Sequence, residues 1–179
     1  MKRSLALAAF AALAFTSAAW AHARVSPPVA LAHELQQFTL AVPTEKEDAR
    51  TTAVTLTLPK GFDVDSFFPA PGWTRTESHG VITWSGGSVP TDEDAAFTFL
   101  ASTSGAGQYV FGVKQTYSDG SVVEWSGPES SDAPAPTLRA VSSFGGGTSA
   151  LVYVALALGA VAVVLGGVAL LPRSGRDLG

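Results

Sequence analysis

Few residues of this chain have the chemistry for a functional site, and the most unusual of them is His22, in the stretch TSAAWAHARVSPP. The small residues before it fit a cleavage site, and a cut after Ala21 makes His22 the first residue of the mature chain. A histidine in that position offers two nitrogens, its α-amine and its ring Nδ1, which can chelate one metal ion. Nitrogen and oxygen donors in a tetragonal arrangement favour Cu(II). The sequence therefore predicts a metal site at His22, and the competing interpretation is a frayed, solvated chain end.

Other donors must come from elsewhere in the fold. The segment PTEKEDA offers Glu45, Glu47 and Asp48 after a predicted strand, although such a charge run is also typical of a solvated loop. The two remaining histidines, His33 and His79, lie in polar, loop-like contexts and are interpreted as surface residues. A role for His33 as a second nitrogen ligand stays open.

Three tryptophans lie outside the N-terminal apolar segment. Trp73 and Trp84 are interpreted as core or edge aromatics. Trp125 ends the segment VVEW just before a Gly-Pro pair, which allows it to lie at the mouth of a site. Its indole nitrogen carries a hydrogen and has no lone pair to donate to a metal, so shielding or a cation–π contact is its expected role.

Composition excludes several function classes. The formal net charge is −4 and no basic patch is visible, which argues against a nucleic-acid partner. Because the chain has no cysteine, thiolate metal sites and disulfides are excluded, and a metal must be held by nitrogen and oxygen. GxSxG, HExxH and phosphate-binding glycine motifs do not occur.

The two ends of the chain carry targeting signals. A basic start followed by an apolar run and small residues predicts a secretory signal peptide over residues 1–21, with weaker competing cuts after Ala19 and Ala23. Residues 150–171 are apolar and uncharged, and about 20 residues span a ~30 Å hydrocarbon core. We therefore predict a transmembrane helix rather than a buried core helix. Arg173 and Arg176 follow this segment, and basic residues favour the cytoplasmic side of a membrane. Residues 172–179 are therefore predicted to form a cytoplasmic tail, and the domain is predicted to be extracytoplasmic.

The segment between these ends has a period of two. In TTAVTLTLP, QQFTLAVP and AAFTFLAS apolar and polar residues alternate, as expected for half-buried strands. The segment GQYVFGVKQTYSDGSVVEW predicts two strands joined through an Asp-Gly hairpin at residues 118–121. With prolines excluding long helices, residues 22–128 are predicted to form an all-β, immunoglobulin-like antiparallel β-sandwich, with a small barrel as the alternative. The composition of residues 129–149, rich in Ser, Pro, Gly and Ala, predicts a flexible linker.

Four segments in order, HARVSPP, FTLAVPTEKEDARTTAVTLTLP, PAPGWT and VVEWSGPESSDAPAP, together resemble the YcnI-like proteins. The resemblance implies an immunoglobulin-like, extracytoplasmic Cu(II)-binding domain with a monohistidine brace. Carried over residue by residue, it assigns His22 as the source of amine and ring nitrogen, Glu45 as the oxygen ligand and Trp125 as the aromatic close to the metal. Ala23 and Arg24 depart from the family pattern, and the Arg24 cation could lower copper affinity.

The leading hypothesis is a membrane-anchored copper chaperone or sensor without catalytic activity, with a membrane copper transporter as its partner. A copper-dependent oxidative enzyme is the second hypothesis, and it requires an additional histidine, His33 or His79. A metal-free adhesion or scaffold module is the third, because the fold alone does not determine function.

Overall fold

The computed structural model describes residues 22–145 and 149–169. The predicted signal peptide, the predicted cytoplasmic tail and the last two residues of the predicted span, 170–171, lie outside these ranges. The chain divides into two units, one ending at Ser143 and the other beginning at Phe144.

The first unit is built from β-strands, as its alternating sequence predicts. The strands within the described residues are β1 Arg24–Ser26, β2 Val29–Leu31, β3 Gln36–Pro43, β4 Thr51–Thr57, β5 Phe62–Phe67, β6 Thr74–Ser78, β7 Val81–Val89, β8 Asp94–Thr103, β9 Gly107–Val110, β10 Gly112–Tyr117, β11 Val122–Trp125 and β12 Thr137–Val141.

The strands form two larger sheets and one smaller sheet. One sheet has the order β1-β3-β8-β5, the second β11-β10-β4-β7-β6 and the third β2-β12-β9. All pairings are antiparallel except that of β2 with β12. The three predicted alternating segments correspond to β4, β3 and β8.

A single apolar core joins the two larger sheets. Phe97 of β8 stacks on Trp84 of β7 at 4.2 Å between ring centroids, and Trp73 meets the same phenylalanine edge-on at 5.0 Å. Leu40 and Leu56, from opposite sheets, are both fully buried in this core. The predicted β-sandwich and the packing roles of Trp73 and Trp84 are therefore confirmed.

The predicted hairpin is present, but it is less simple than expected. Gly120 donates its N–H to the Tyr117 carbonyl at 3.0 Å, and Gly120 alone of the Asp-Gly pair has a positive φ, 83°. This arrangement is a type I turn followed by a left-handed glycine. In addition, the first predicted strand of this segment is interrupted at Phe111, where the chain passes from the small sheet (β9) to a large one (β10).

The prediction of a flexible linker over residues 129–149 is wrong for its central part. Residues 137–141 form β12, which pairs with both β2 and β9, and Leu138 is only 1% exposed. Before this strand, a parallel bridge joins Gly127 to Pro134, and Ser131 donates its hydroxyl to the Pro128 carbonyl. Backbone pairing and the burial of Leu138 thus order a segment that is rich in Ser, Pro, Gly and Ala, and the domain extends beyond residue 128.

In the described residues of the second unit, helix α1 extends over Ala150–Ala169. It begins where the predicted span begins. Among the described residues it alone is long and apolar enough to cross a membrane, by the criteria of length and composition.

Candidate metal centre

His22 is separated from the first residue of β1 by Ala23, and the chain is packed into the domain from Ala23 onward. Ala23 and Val25 are 4% and 2% exposed, and β1 pairs with β3 through Arg24 and Ala41. The residues that follow His22 are therefore held by strand pairing and burial rather than frayed. Continuing the same register by two residues places His22, which is half-buried, opposite Pro43 at the end of β3.

Trp125 closes one side of this position. It is the last residue of β11 and is 1% exposed. Its ring lies 6.4 Å from the His22 ring between centroids, at an interplanar angle of 62°, so the rings meet edge to face. The structure thus brings together two of the three residues that the sequence assigned to the site.

The indole nitrogen of Trp125 already has a partner, which the sequence reasoning missed. Nε1–H donates to Gln115 Oε1 at 3.0 Å, inside the sandwich. Gln115 Nε2 donates to the Pro43 carbonyl at 2.8 Å and to Thr51 Oγ1 at 2.7 Å. The Thr44 and Thr51 hydroxyls share a further bond of 2.7 Å. A chain of buried hydrogen bonds therefore runs from Trp125 to the strand end opposite His22.

Glu45 follows this buried segment but is itself exposed. Within the described ranges, its carboxylate makes no hydrogen bond or ion pair with His22, so its role as a ligand stays a prediction. No group of three or more His, Asp or Glu side chains in the described residues is arranged to hold a metal by itself.

The loop that carries Glu45 is fixed to the β10–β11 hairpin. The Lys46 ammonium donates to the Asp119 carboxylate and to Ser121 Oγ. The pKa of the Tyr117 phenol is raised above its ordinary value, first because the phenol is partly buried. Hydrogen bonding with the Glu45 backbone lowers the pKa, and the Glu45 and Asp119 charges raise it further. The Lys46 ammonium holds the pKa of Asp119 well below its ordinary value. Glu45 therefore extends from an anchored backbone rather than from a free loop.

Arg24 does not leave an uncompensated cation beside His22. Its guanidinium pairs with Asp94 Oδ2 at 3.2 Å, on the surface of the sheet. This ion pair offsets the charge that the sequence suggested could lower metal affinity.

The remaining predicted candidates lie elsewhere on the surface. His33, His79 and Asp48 occupy exposed turn positions with φ of 65°, 50° and 59°, and Glu47 is exposed as well. A groove of about 700 Å³ opens beside His22, and neither of the other histidines lines it. Its walls come from β1 and from the segments around Val110, Glu129 and Pro136.

Comparison with known proteins gives consistent results. The family model described as "Domain of unknown function (DUF1775)" matches residues 22–80 and 75–140, so the match begins at His22 and ends within β12. The chain is 32% identical over 185 residues to the copper-binding protein CutI of Bacillus subtilis (strain 168), covering 90% of each chain.

Among solved structures, an uncharacterized protein from Nocardia farcinica with an immunoglobulin-like fold is 32% identical, with a TM-score of 0.59. The similarity covers 67% of this chain and 98% of that one. The immunoglobulin-like character of the predicted sandwich is thereby confirmed.

Proposed function

The chain belongs to the DUF1775 family, the YcnI-like proteins, and from this premise we propose that it is a membrane-anchored, extracytoplasmic protein that binds Cu(II) at His22. The observation that carries the proposal is the half-buried His22 packed against Trp125 just ahead of β1. The related CutI, which is a copper-binding protein, supports copper as the ion.

The donor chemistry fits this ion. Cleavage after Ala21 gives His22 a free α-amine, and amine and Nδ1 together form a chelate that an internal histidine cannot form. In the proposed centre Glu45 supplies an oxygen ligand, and with no thiolate available the donor set is the nitrogen and oxygen type that Cu(II) prefers. Trp125 contributes no lone pair, because its indole nitrogen carries a hydrogen and its electron pair belongs to the ring. That N–H is donated to Gln115, and the ring shields one side of the centre.

Cu(II) titration of the processed full-length chain in mild detergent tests this centre. We expect stoichiometric binding that is lost in His22→Ala and retained in His33→Ala, a control that removes an exposed turn histidine. One extra residue ahead of His22 should weaken binding sharply, because it converts the amine into an amide. Mass spectrometry of the mature N-terminus establishes whether His22 is the first residue. Unchanged affinity in both His22→Ala and the extended chain would refute the brace.

The proposed role is delivery or sensing of copper rather than catalysis, with a membrane copper transporter as the partner. Helix α1 supports membrane attachment by its length and composition. A copper oxidative enzyme needs a second histidine ligand, whereas the other two histidines lie in exposed turns away from the groove beside His22. We expect copper transfer to a transporter in membrane vesicles and no product that depends on oxygen and reductant. Such a product from a polysaccharide would favour the enzyme.

A further inference from the structure

Gln115 is a polar residue in a position where the strand pattern calls for an apolar one. On β10 it shares the inward-facing side with Val113 and Tyr117, and it is completely buried. A buried amide is destabilising unless its donors and acceptor find partners. Its presence in the core therefore requires a reason beyond packing.

The partners of Gln115 match the acceptor and donor of its amide. The indole N–H of Trp125 can only donate, and the Pro43 carbonyl can only accept. A side chain that joins them must accept at one end and donate at the other, and its length must span the gap. The partners also fix which end of the amide is oxygen. Glutamate, when ionised, has no proton for Pro43, methionine satisfies neither partner, and asparagine is one methylene shorter.

This bridge connects the two sides of the candidate centre. Trp125 contacts the His22 ring, and Pro43 is the residue opposite His22 in the extended β1–β3 register. We propose that Gln115 is the positioning residue of the metal centre: it holds the Trp125 indole against His22 and ties it to the strand end that leads to Glu45. This inference rests on the proposed function, because it assigns Gln115 a part in Cu(II) binding.

The first experiment compares two glutamine variants of the processed full-length chain in mild detergent. Gln115→Met should weaken Cu(II) binding about tenfold or more, the range typical for residues that orient a metal centre without touching the ion. In the metal-free chain, the Trp125 indole N–H should lose its protection from hydrogen exchange, as measured by NMR. The control Gln36→Met also removes two amide hydrogen bonds, those with the backbone of Leu31, at the opposite end of β3. It should bind Cu(II) like the wild type.

A double-mutant cycle separates positioning from general destabilisation. In a Trp125→Phe background the indole N–H is absent, so adding Gln115→Met should cause little further loss of Cu(II) affinity. If Gln115→Met does not fold, Gln115→Asn, which retains an amide but is shorter, takes its place in every comparison.

Two results would overturn the inference. One is Cu(II) affinity within twofold of the wild type in the Gln115 variant, and the other is an equal loss of affinity with and without the Trp125 indole. Failure of the proposed function gives a different result, in which the wild-type chain shows no Cu(II) binding that depends on His22. The inference then falls with it, whatever happens to the indole N–H.

Discussion

Replacing Leu138 with alanine tests whether the segment after Trp125 is part of the folded domain. The leucine side chain is 1% exposed, and its strand pairs with β2 on one side and β9 on the other. Removing such a buried leucine costs about 2–5 kcal/mol, out of a total unfolding free energy of about 5–15 kcal/mol for a typical domain. For a domain of this size the melting temperature should fall by roughly 10 °C.

The assay is thermal and urea unfolding of the full-length chain in mild detergent, followed by tryptophan fluorescence. Leu35→Ala is the matched control, because Leu35 is 54% exposed in the same domain and its truncation should change stability by less than about 0.5 kcal/mol. If both variants unfold at the same temperature and urea concentration, residues 137–141 are a tether, as their surrounding composition suggested, and the reasoning from β12 is refuted.

Three further predictions concern the surroundings of the metal centre. Asp94→Asn frees the Arg24 cation, and Cu(II) affinity should fall by a few-fold at low salt and less at high salt, since exposed ion pairs contribute about 0–1 kcal/mol and are screened. Gly127→Ala should lower the free energy of unfolding, measured with urea, by about 1–3 kcal/mol, because a Cβ there meets Ser131 and the Ala133 carbonyl oxygen. Gly112→Ala is the control, because a Cβ at Gly112 meets only ordinary contacts. Because the pKa of Tyr117 is higher in the folded state than in the unfolded state, the fold favours the neutral phenol, and the free energy of unfolding should decline as pH rises above about 10. Tyr117→Phe should flatten that decline when unfolding is measured as a function of pH.

Period-two alternation was sufficient to predict the central strands. Leu40 and Leu56 occupy inward positions that the pattern identifies directly, since a one-residue shift would expose the whole apolar set. The same rule applies to Leu138 and Ala140 in TLRAV, but the neighbouring Ser, Pro and Gly residues made the segment resemble a tether. Its partners β2 and β9 are distant in the chain, and their availability cannot be read from local composition.

The candidate site was only partly predictable. The predicted chemistry of His22 follows from its place beside a predicted cleavage site, whereas its proximity to Trp125 is a long-range contact that family resemblance, not residue spacing, suggested. Gln115 left one signal, a polar residue at an inward position of an alternating strand. That signal marks a buried hydrogen bond but cannot name the partners, because Pro43 and Thr51 come from two other strands.

The contact between His22 and Trp125 also imposes an order of events on export. In the proposed export, His22 crosses the membrane first, while Trp125 belongs to β11, the next-to-last strand of the described domain, and arrives late. Gln115 and the indole can pair only once both strands of the hairpin have crossed. Under the proposed function, an emerging chain presents His22 before the centre is complete, so full copper affinity is expected only when translocation and folding are finished.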